Sequence, residues 1–350
     1  MKDTKYLGMD VHSATISAEV LNEKGTVLMQ ATLKTKARPI LDFISGVKGT
    51  VVVAFEEGTH SKWLYDLIRK KVSRVVVCDP RQVKKLVNKC DKVDTHQLAL
   101  FLRAGLLKPV YQGEPGMREL KELAHHYLRL VGDCTRVMNR IKGIFRSRAI
   151  PCAGKQVYLA KHRNRWLDYL ESAAARLRAE QLYRQLDFLR PQRRAAKVAL
   201  LTESRKQAAH KLLKKIPGLG DIGVALILAF VMTPHRFRTK RQFWAYIGLA
   251  VVTSSSGDYE VVRGRIVRNK KRILTRGLNH NHNHVLKYVF NVATQSARRR
   301  GFKEWFQAAL AAGISERNAR LNLARKISAI ALTVWKEGKP YDEKLSKRAA

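Results

Sequence analysis

The run Lys89-Cys90-Asp91-Lys92-Val93-Asp94-Thr95-His96 sets two carboxylates three residues apart at the start of an apolar-periodic stretch. On a helix, Asp91 and Asp94 share one face about one turn apart. Like charges that close repel, so the pair by itself gives the helix nothing. A divalent cation reverses that sign, because hard cations are held by carboxylate oxygens and become the largest local charge. The plainer alternative is an acidic pair complementing a helix N-terminus. Two more acids bear on the choice. Asp10 closes the apolar run Tyr6-Leu7-Gly8-Met9-Asp10, and Glu56 closes Thr50-Val51-Val52-Val53-Ala54-Phe55-Glu56. Both runs read as strands, and ligand sites of open α/β sheets collect at carboxyl ends of strands. Four acids from separate segments meeting at one sheet edge would suit a two-metal phosphodiester site, with cations roughly 4 Å apart serving attacking and leaving oxygens. Glu57 is the rival of Glu56 at the second position.

A second chemistry lies further along, in Thr253-Ser254-Ser255-Ser256-Gly257-Asp258. Between Val261 and Arg276 there follow seven cations, Arg263, Arg265, Arg268, Lys270, Lys271, Arg272 and Arg276, and no acid. Most serine-rich loops are only loops. A hydroxyl beside a cationic cluster can also serve as a nucleophile on a phosphate that the cluster holds. Upstream, Ile216-Pro217-Gly218-Leu219-Gly220-Asp221 joins two helical patterns by a glycine turn. A helix-hairpin-helix of this kind offers backbone N–H groups at a helix start to a nucleic-acid phosphate, with Gly218 and Gly220 in the turn. The alternation His280-Asn281-His282-Asn283-His284 would splay its rings if helical, which favours nucleic-acid contacts or helix-end polar roles over a metal site.

The elements that must position these groups follow from periodicity. Thr15–Leu21 and Thr26–Leu33 read as a hairpin across Asn22-Glu23-Lys24-Gly25, then come a helix over 39–47, the Thr50 strand, a helix over 61–71 and a strand over 74–78. Three antiparallel strands followed by alternating helices and strands is the ribonuclease-H-like order, α/β in class. From Leu120 the apolar positions Leu120, Leu123, Tyr127, Leu130, Cys134, Val137, Ile141 and Ile144 form a heptad seam. That seam needs a partner, either 166–189 folding back or the same helix of another subunit. Helices over 285–297 and 317–335 follow, and a charged, frayed tail is expected from Tyr341.

The chain has 350 residues, 68 Lys plus Arg against 28 Asp plus Glu, and a net charge of +40. That excess implies a polyanionic partner. The cations are spread along the whole length and not gathered on one amphipathic helix, which favours nucleic acid over a lipid surface. No run reaches the roughly 18 apolar residues of a membrane span, and Met1-Lys2-Asp3-Thr4-Lys5 reads as the lead into a strand and not as a signal peptide. Cys78, Cys90, Cys134 and Cys152 have no metal-ligand spacing and read as thiols of a reducing cytoplasm.

Taken in order, Gly8-Met9-Asp10-Val11-His12, Phe55-Glu56-Glu57-Gly58, Lys89 to Asp94, Ile216 to Gly220, Tyr246-Ile247-Gly248-Leu249 and Ser255-Ser256-Gly257 resemble the motifs of the DEDD-type transposases of bacterial insertion sequences called the IS-one-ten family. The resemblance spans nearly the whole chain. It implies a RuvC-like domain whose Asp10, Glu56, Asp91 and Asp94 bind magnesium, with manganese an alternative, and a C-terminal transposase domain supplying Ser256 as nucleophile. It also implies donor and target double-stranded DNA, a structured guide RNA encoded by the element, and a dimer or tetramer acting at the bacterial nucleoid. Pairing delegated to RNA agrees with the lack of a sequence-reading motif. Arg268-Asn269-Lys270 lacks the glycine that the family commonly places after the serine motif, which leaves Ser255 and Ser254 as alternatives.

The expected organisation is therefore a RuvC-like domain over 1–110, a helical coiled-coil linker over 111–210, a mostly helical transposase domain over 211–340 and a tail over 341–350. Isolated monomers should not cut if the two chemistries come from different subunits. A Holliday-junction resolvase or nuclease would use the same acids with water and would survive Ser256→Ala. A non-catalytic nucleic-acid binder would need no metal.

Overall fold

The computed structural model describes residues 3–80, 91–254, 259–268 and 274–347, which fall into two compact units, Met1–Gln112 and Gly113–Ala350. The first is a five-stranded mixed sheet with helices on both faces. Its strands are β1 (Thr4–Val11), β2 (Thr15–Leu21), β3 (Val27–Lys34), β4 (Thr50–Glu56) and β5 (Arg74–Cys78), in the order β3-β2-β1-β4-β5. β1, β2 and β3 pair antiparallel, whereas β1 with β4 and β4 with β5 pair parallel. This order is consistent with the ribonuclease-H-like arrangement expected.

Side chains of a strand alternate between faces, and here the parity is clean. Leu7, Met9, Val53, Phe55 and Val77 pack with Ile40 and Ile44 of α1 (Ala37–Gly46) and with Leu64 and Ile68 of α2 (Ser61–Ile68). The opposite face carries Tyr6, Val52, Ala54 and Val76, which pack with Leu102 of α3 (Asp91–Arg103). Helix α3 rests on β1, β2 and β4. It can do so because residue 8 is glycine: a Cβ there would clash with the Thr95 carbonyl oxygen and lie 2.9 Å from the Ala99 nitrogen. Backbone meets backbone at that point.

The second unit begins with a long helical hairpin, α4 (Pro115–Arg146) against α6 (Ala173–Arg205), joined through the short α5 (Arg163–Asp168). The expected helix over 166–189 is thus two helices, because the Ser172 hydroxyl accepts from the Ala175 amide and starts α6 afresh. The heptad seam is covered by the same chain. Cys134, Val137, Ile141 and Ile144 are buried with Ala175, Ala179, Tyr183 and Leu186, while Leu120 shares a core with Leu200. No second copy is needed to cover it.

That second core surrounds α8 (Asp221–Val231), in which every residue from Val224 to Val231 is buried. A helix apolar on all sides must be enclosed, and here α4, α6, α7 (Ala208–Lys214) and α10 (His284–Ala297) enclose it. Helices α9 (Lys240–Tyr246), α11 (Lys303–Ala311) and α12 (Glu316–Glu337) complete the layer. From Gly113 on, the expected linker over 111–210 and the expected C-terminal domain over 211–340 fall together in this unit and share its core. Two small antiparallel ribbons, β6 (Val251–Ser254) with β9 (Leu274–Leu278) and β7 (Tyr259–Val262) with β8 (Arg265–Arg268), interrupt an otherwise helical unit. The terminal segment is not a simple frayed tail, since Tyr341 and Leu345 pack on the core.

Replacing Gly8 by alanine should force α3 off the sheet, with a cost of about 1–3 kcal/mol for overpacking. Urea unfolding of the Gly8→Ala protein would measure it, and an unchanged midpoint would mean that α3 does not depend on this contact.

Candidate functional site

Asp10, next to last in β1, and Glu56, last in β4, lie at the carboxyl ends of adjacent parallel strands, in which Gly8 aligns with Ala54 and Met9 with Phe55. By strand parity Asp10 shares the face of Gly8, and Glu56 shares that of Ala54, so both lie on the side covered by α3. Asp10 is 22% exposed and its Oδ2 is 2.9 Å from the His12 Nε2. Glu56 is half-buried and paired across the ladder with Cys78. Burial and then the Glu56 charge push the Cys78 thiol up to about 12, which keeps it protonated and inert. Glu57 lies beyond the strand and is exposed, its amide donating to the Cys78 carbonyl at 2.8 Å.

The remaining two expected acids occupy the first turn of α3, at Asp91 and Asp94. Their carboxyl groups lie outside the described side chains. The backbone still locates that turn, because Thr95 is the residue that meets Gly8. The start of α3 therefore lies beside the carboxyl end of β1, two residues from Asp10. Oxygen donors of this kind suit a hard divalent cation.

Sequence reading missed one acid on this face. Glu19 stands opposite Gly8 on β2 and is only 4% exposed. Its carboxylate accepts from Gln30 Nε2 at 2.8 Å and is hydrogen-bonded to His96 Nδ1, two residues after Asp94. Glu19 thus fastens α3 to the sheet across the gap left by Gly8. The only signal in the sequence was an acid in the inward phase of an alternating strand.

In the second unit the two glycines of the turn do different things. Gly218, at φ 95°, turns toward α10, and a Cβ there would lie 2.5 Å from the Ala293 carbonyl oxygen. Its part is close packing. Gly220 caps α8 and borders a cleft of about 410 Å³ that Lys197 and Tyr288 also line. Asp221 follows it, with its carboxylate 2.9 Å from Lys214 Nζ and 3.2 Å from His210 Nε2. The Lys214 bond, then His210 and the Arg205 charge, hold that carboxyl below its usual range against the opposing effect of burial. The α8 N-terminus is therefore already complemented by an anion of its own chain.

The serine segment begins on β6, whose last residue is Ser254. Ser255 and Ser256 lie outside the described residues, as do Lys270, Lys271 and Arg272. Between them stands the β7–β8 hairpin, closed by Arg263 at φ 49° and Gly264 at φ 75°. Positive φ at both central residues is the type I′ geometry that asparagine and glycine usually fill. An arginine there costs conformational energy, and it places a cation at the tip. Arg265 follows, also exposed, and Arg268 ends β8. Tyr259, Val261 and Ile266 of the same hairpin are exposed at 64%, 73% and 75%.

The histidine run is not helical before His284. Asn283 caps α10 by accepting from the Leu286 amide at 3.0 Å, and Asn279 bonds the Ala245 and Asn281 carbonyls. Among the described residues no three His, Cys, Asp or Glu side chains gather as a metal site, and no helix is long and apolar enough to cross a membrane.

Residues 7–148 match the family model of the DEDD-type IS110 transposases, and residues 210–309 match the model described as transposase IS116/IS110/IS902 family. The chain is also similar to the transposase for insertion sequence element IS1111A of Coxiella burnetii (strain RSA 493 / Nine Mile phase I), 25% identical over 300 residues, which cover 83% of this chain and 80% of that protein.

Two outcomes are expected of these arrangements. Glu19→Ala strands His96 and Gln30 without their acceptor, and chemical denaturation should register a loss of about 1–3 kcal/mol; a neutral result would remove Glu19 as the fastening of α3. Replacing Arg263 and Arg265 by glutamine should lower the slope of log affinity for duplex DNA against log salt by roughly 0.9 for each phosphate that is no longer neutralised. An unaltered slope in a salt titration followed by fluorescence anisotropy would place the hairpin tip away from DNA.

Proposed function

The chain belongs to the IS116/IS110/IS902 family of transposases, and from that premise we propose that it is a site-specific DNA recombinase that excises and inserts an insertion sequence under the guidance of an element-encoded RNA. Its substrates are donor and target double-stranded DNA, and it works as a dimer or tetramer on the chromosome in the cytoplasm. The observation that carries the reading is that Asp10 and Glu56 stand at the carboxyl ends of two adjacent parallel strands, on the face that the Asp91–Asp94 helix covers. Together these four acids would hold magnesium, or manganese in its place. Such a cation, when bound, supplies Lewis-acid stabilisation of charge on a phosphate.

In this reading the Ser256 hydroxyl is the nucleophile. Its Oγ forms a bond to phosphorus, the bond from phosphorus to one deoxyribose oxygen breaks, and that oxygen leaves as the hydroxyl of the cut strand, with the serine proton balancing the exchange. A phosphoserine link keeps the ester bond, so attack by another strand's hydroxyl rejoins DNA and returns serine without an external energy source. Arg263, Arg265, Arg268, Lys270, Lys271 and Arg272 would hold backbone phosphates near the serine, with Gly220 lending a turn that can approach nucleic acid closely. A net charge of +40 is more than one duplex contact requires and suits a protein that holds RNA and DNA backbones together.

The decisive test incubates the protein with the element's flanking DNA, its co-expressed RNA and magnesium, and looks for DNA covalently joined to protein. The adduct should form with wild type and disappear with Ser256→Ala and with Asp10→Asn. Cleavage without an adduct, unaffected by Ser256→Ala, would make this a water-using nuclease.

A further inference from the structure

The second unit contains a large open cleft, about 1180 Å³, that no sequence motif singles out. Its floor is the start of the β6–β9 ribbon, at Val251 and Leu278, which pair across it. One wall is the outer face of α10, with exposed Asn291 and Gln295, and the other is the first half of α12. The polar lining has three arginines, Arg317, Arg320 and Arg325, against one acid, Glu316. That acid is already engaged, at 2.7 Å from Arg298 and 2.5 Å from Arg320.

Arg325 is the telling residue. It is half-buried, and no carboxylate among the described residues pairs with it. Neutral groups hold it instead: its Nε donates to the Leu249 carbonyl at 2.8 Å, a guanidinium nitrogen donates to Asn322 Oδ1 at 3.3 Å, and the indole of Trp244 lies 5.9 Å from its centre. Trp244 is itself fixed, its Nε1 donating to Ser328 Oγ at 3.1 Å. Burying an unpaired charge is costly unless an anion completes it, and a planar guanidinium keeps its proton and matches the oxygens of a phosphate. Arg317, exposed at the rim, likewise has no ion pair among the described residues. Asn291 and Gln295 line the same cleft, and their amides offer both donors and acceptors.

We propose that this cleft binds the phosphodiester backbone of the DNA strand to be cut, with Arg325 and Arg317 on the phosphates and Asn291 and Gln295 on the opposite side. The assignment to DNA rests on the reading of Ser256 as nucleophile, because β6 runs from the floor of the cleft at Val251 to Ser254, two residues before Ser256 in the chain. The Leu249 carbonyl that anchors Arg325 lies just ahead of the same strand. One arginine thus ties α12 to the start of the serine segment. The α12 residues concerned lie beyond the segment 210–309 that matches the family model.

The test separates binding from chemistry. Full-length protein, as wild type and as Ser256→Ala, is bound to element-end duplex carrying 4-thiothymidine beside the cut, irradiated, digested and mapped by mass spectrometry. Cross-links should fall in peptides spanning 291–295 and 317–325 in both proteins, whether or not an adduct with serine forms. Arg317→Glu should reduce those cross-links several-fold and lower the salt slope of DNA binding by roughly 0.9 or more, with Arg317→Lys restoring the slope and thermal unfolding unchanged in both. Cross-links confined to other segments, the same peptides reached only when the guide RNA carries the photoreactive base, or an Arg317→Glu protein with wild-type salt slope would each overturn the proposal. A wild-type protein that gives these cross-links and cuts DNA without forming an adduct would overturn the serine reading and leave the cleft standing.

Discussion

At Gly8 a helix backbone comes down onto a strand backbone with no side chain between them. Everything that makes the first unit a candidate site depends on that approach. The carboxyl ends of β1 and β4 carry Asp10 and Glu56 on the same face, and α3 brings the turn holding Asp91 and Asp94 to that face only as closely as residue 8 allows. A side chain at position 8 would widen the separation by the thickness of a methyl group or more. Acids that share a hard cation must have their oxygens a few ångströms apart. On the proposal that these acids share a cation, the absence of one Cβ bears on function as well as on packing.

Glu19 and His96 work on the same contact from the adjacent strand. Burying a carboxylate costs free energy unless its acceptor sites are used, and Gln30 and His96 use them. Because His96 belongs to α3, the bond also sets the helix's rotation and register over the sheet. The apolar packing of Leu102 against Ala54 and Val76 holds the far end of the helix. A polar clamp on one side and an apolar contact further along hold α3 on the sheet.

The second unit is governed by a different constraint, the enclosure of α8. A helix with no polar face can exist only inside other helices, and this requirement draws α4 and α6 into the same core as the elements that follow. The long hairpin is thus continuous with the part carrying the serine strand. What remains on the outside is unusually cationic: the Arg263–Gly264 turn, the arginines of the cleft between α10 and α12, and the exposed positions of α6. Such a division of labour lets an apolar interior fix geometry while the surface meets phosphates whose contacts are dominated by charge.

The candidate acids, the strand succession, the heptad seam and the excess of cations were legible in the sequence because each is written in residue type and period. Asp10 and Glu56 close apolar runs, Asp91 and Asp94 stand one turn apart, and the seam repeats every seven residues. Periodicity is a local property of the chain, so it survives without knowledge of the fold. Which surface covers a periodic face is not local. The seam's partner could be read as this chain or another, and only packing assigned it to α6. Glu56 and Glu57 are neighbours in sequence, and the register of β4 against β1 put the first on the α3 side. Glu19, Arg317 and Arg325 carried no motif at all, since their significance comes from burial for Glu19 and in part for Arg325, from the lack of a carboxylate partner among the described residues for the two arginines, and from the elements brought beside them. The sequence by itself determined what kinds of group this protein can offer to a phosphate and a cation; the tertiary structure decided which of them share a face, because distances between segments far apart in the chain are set by packing alone.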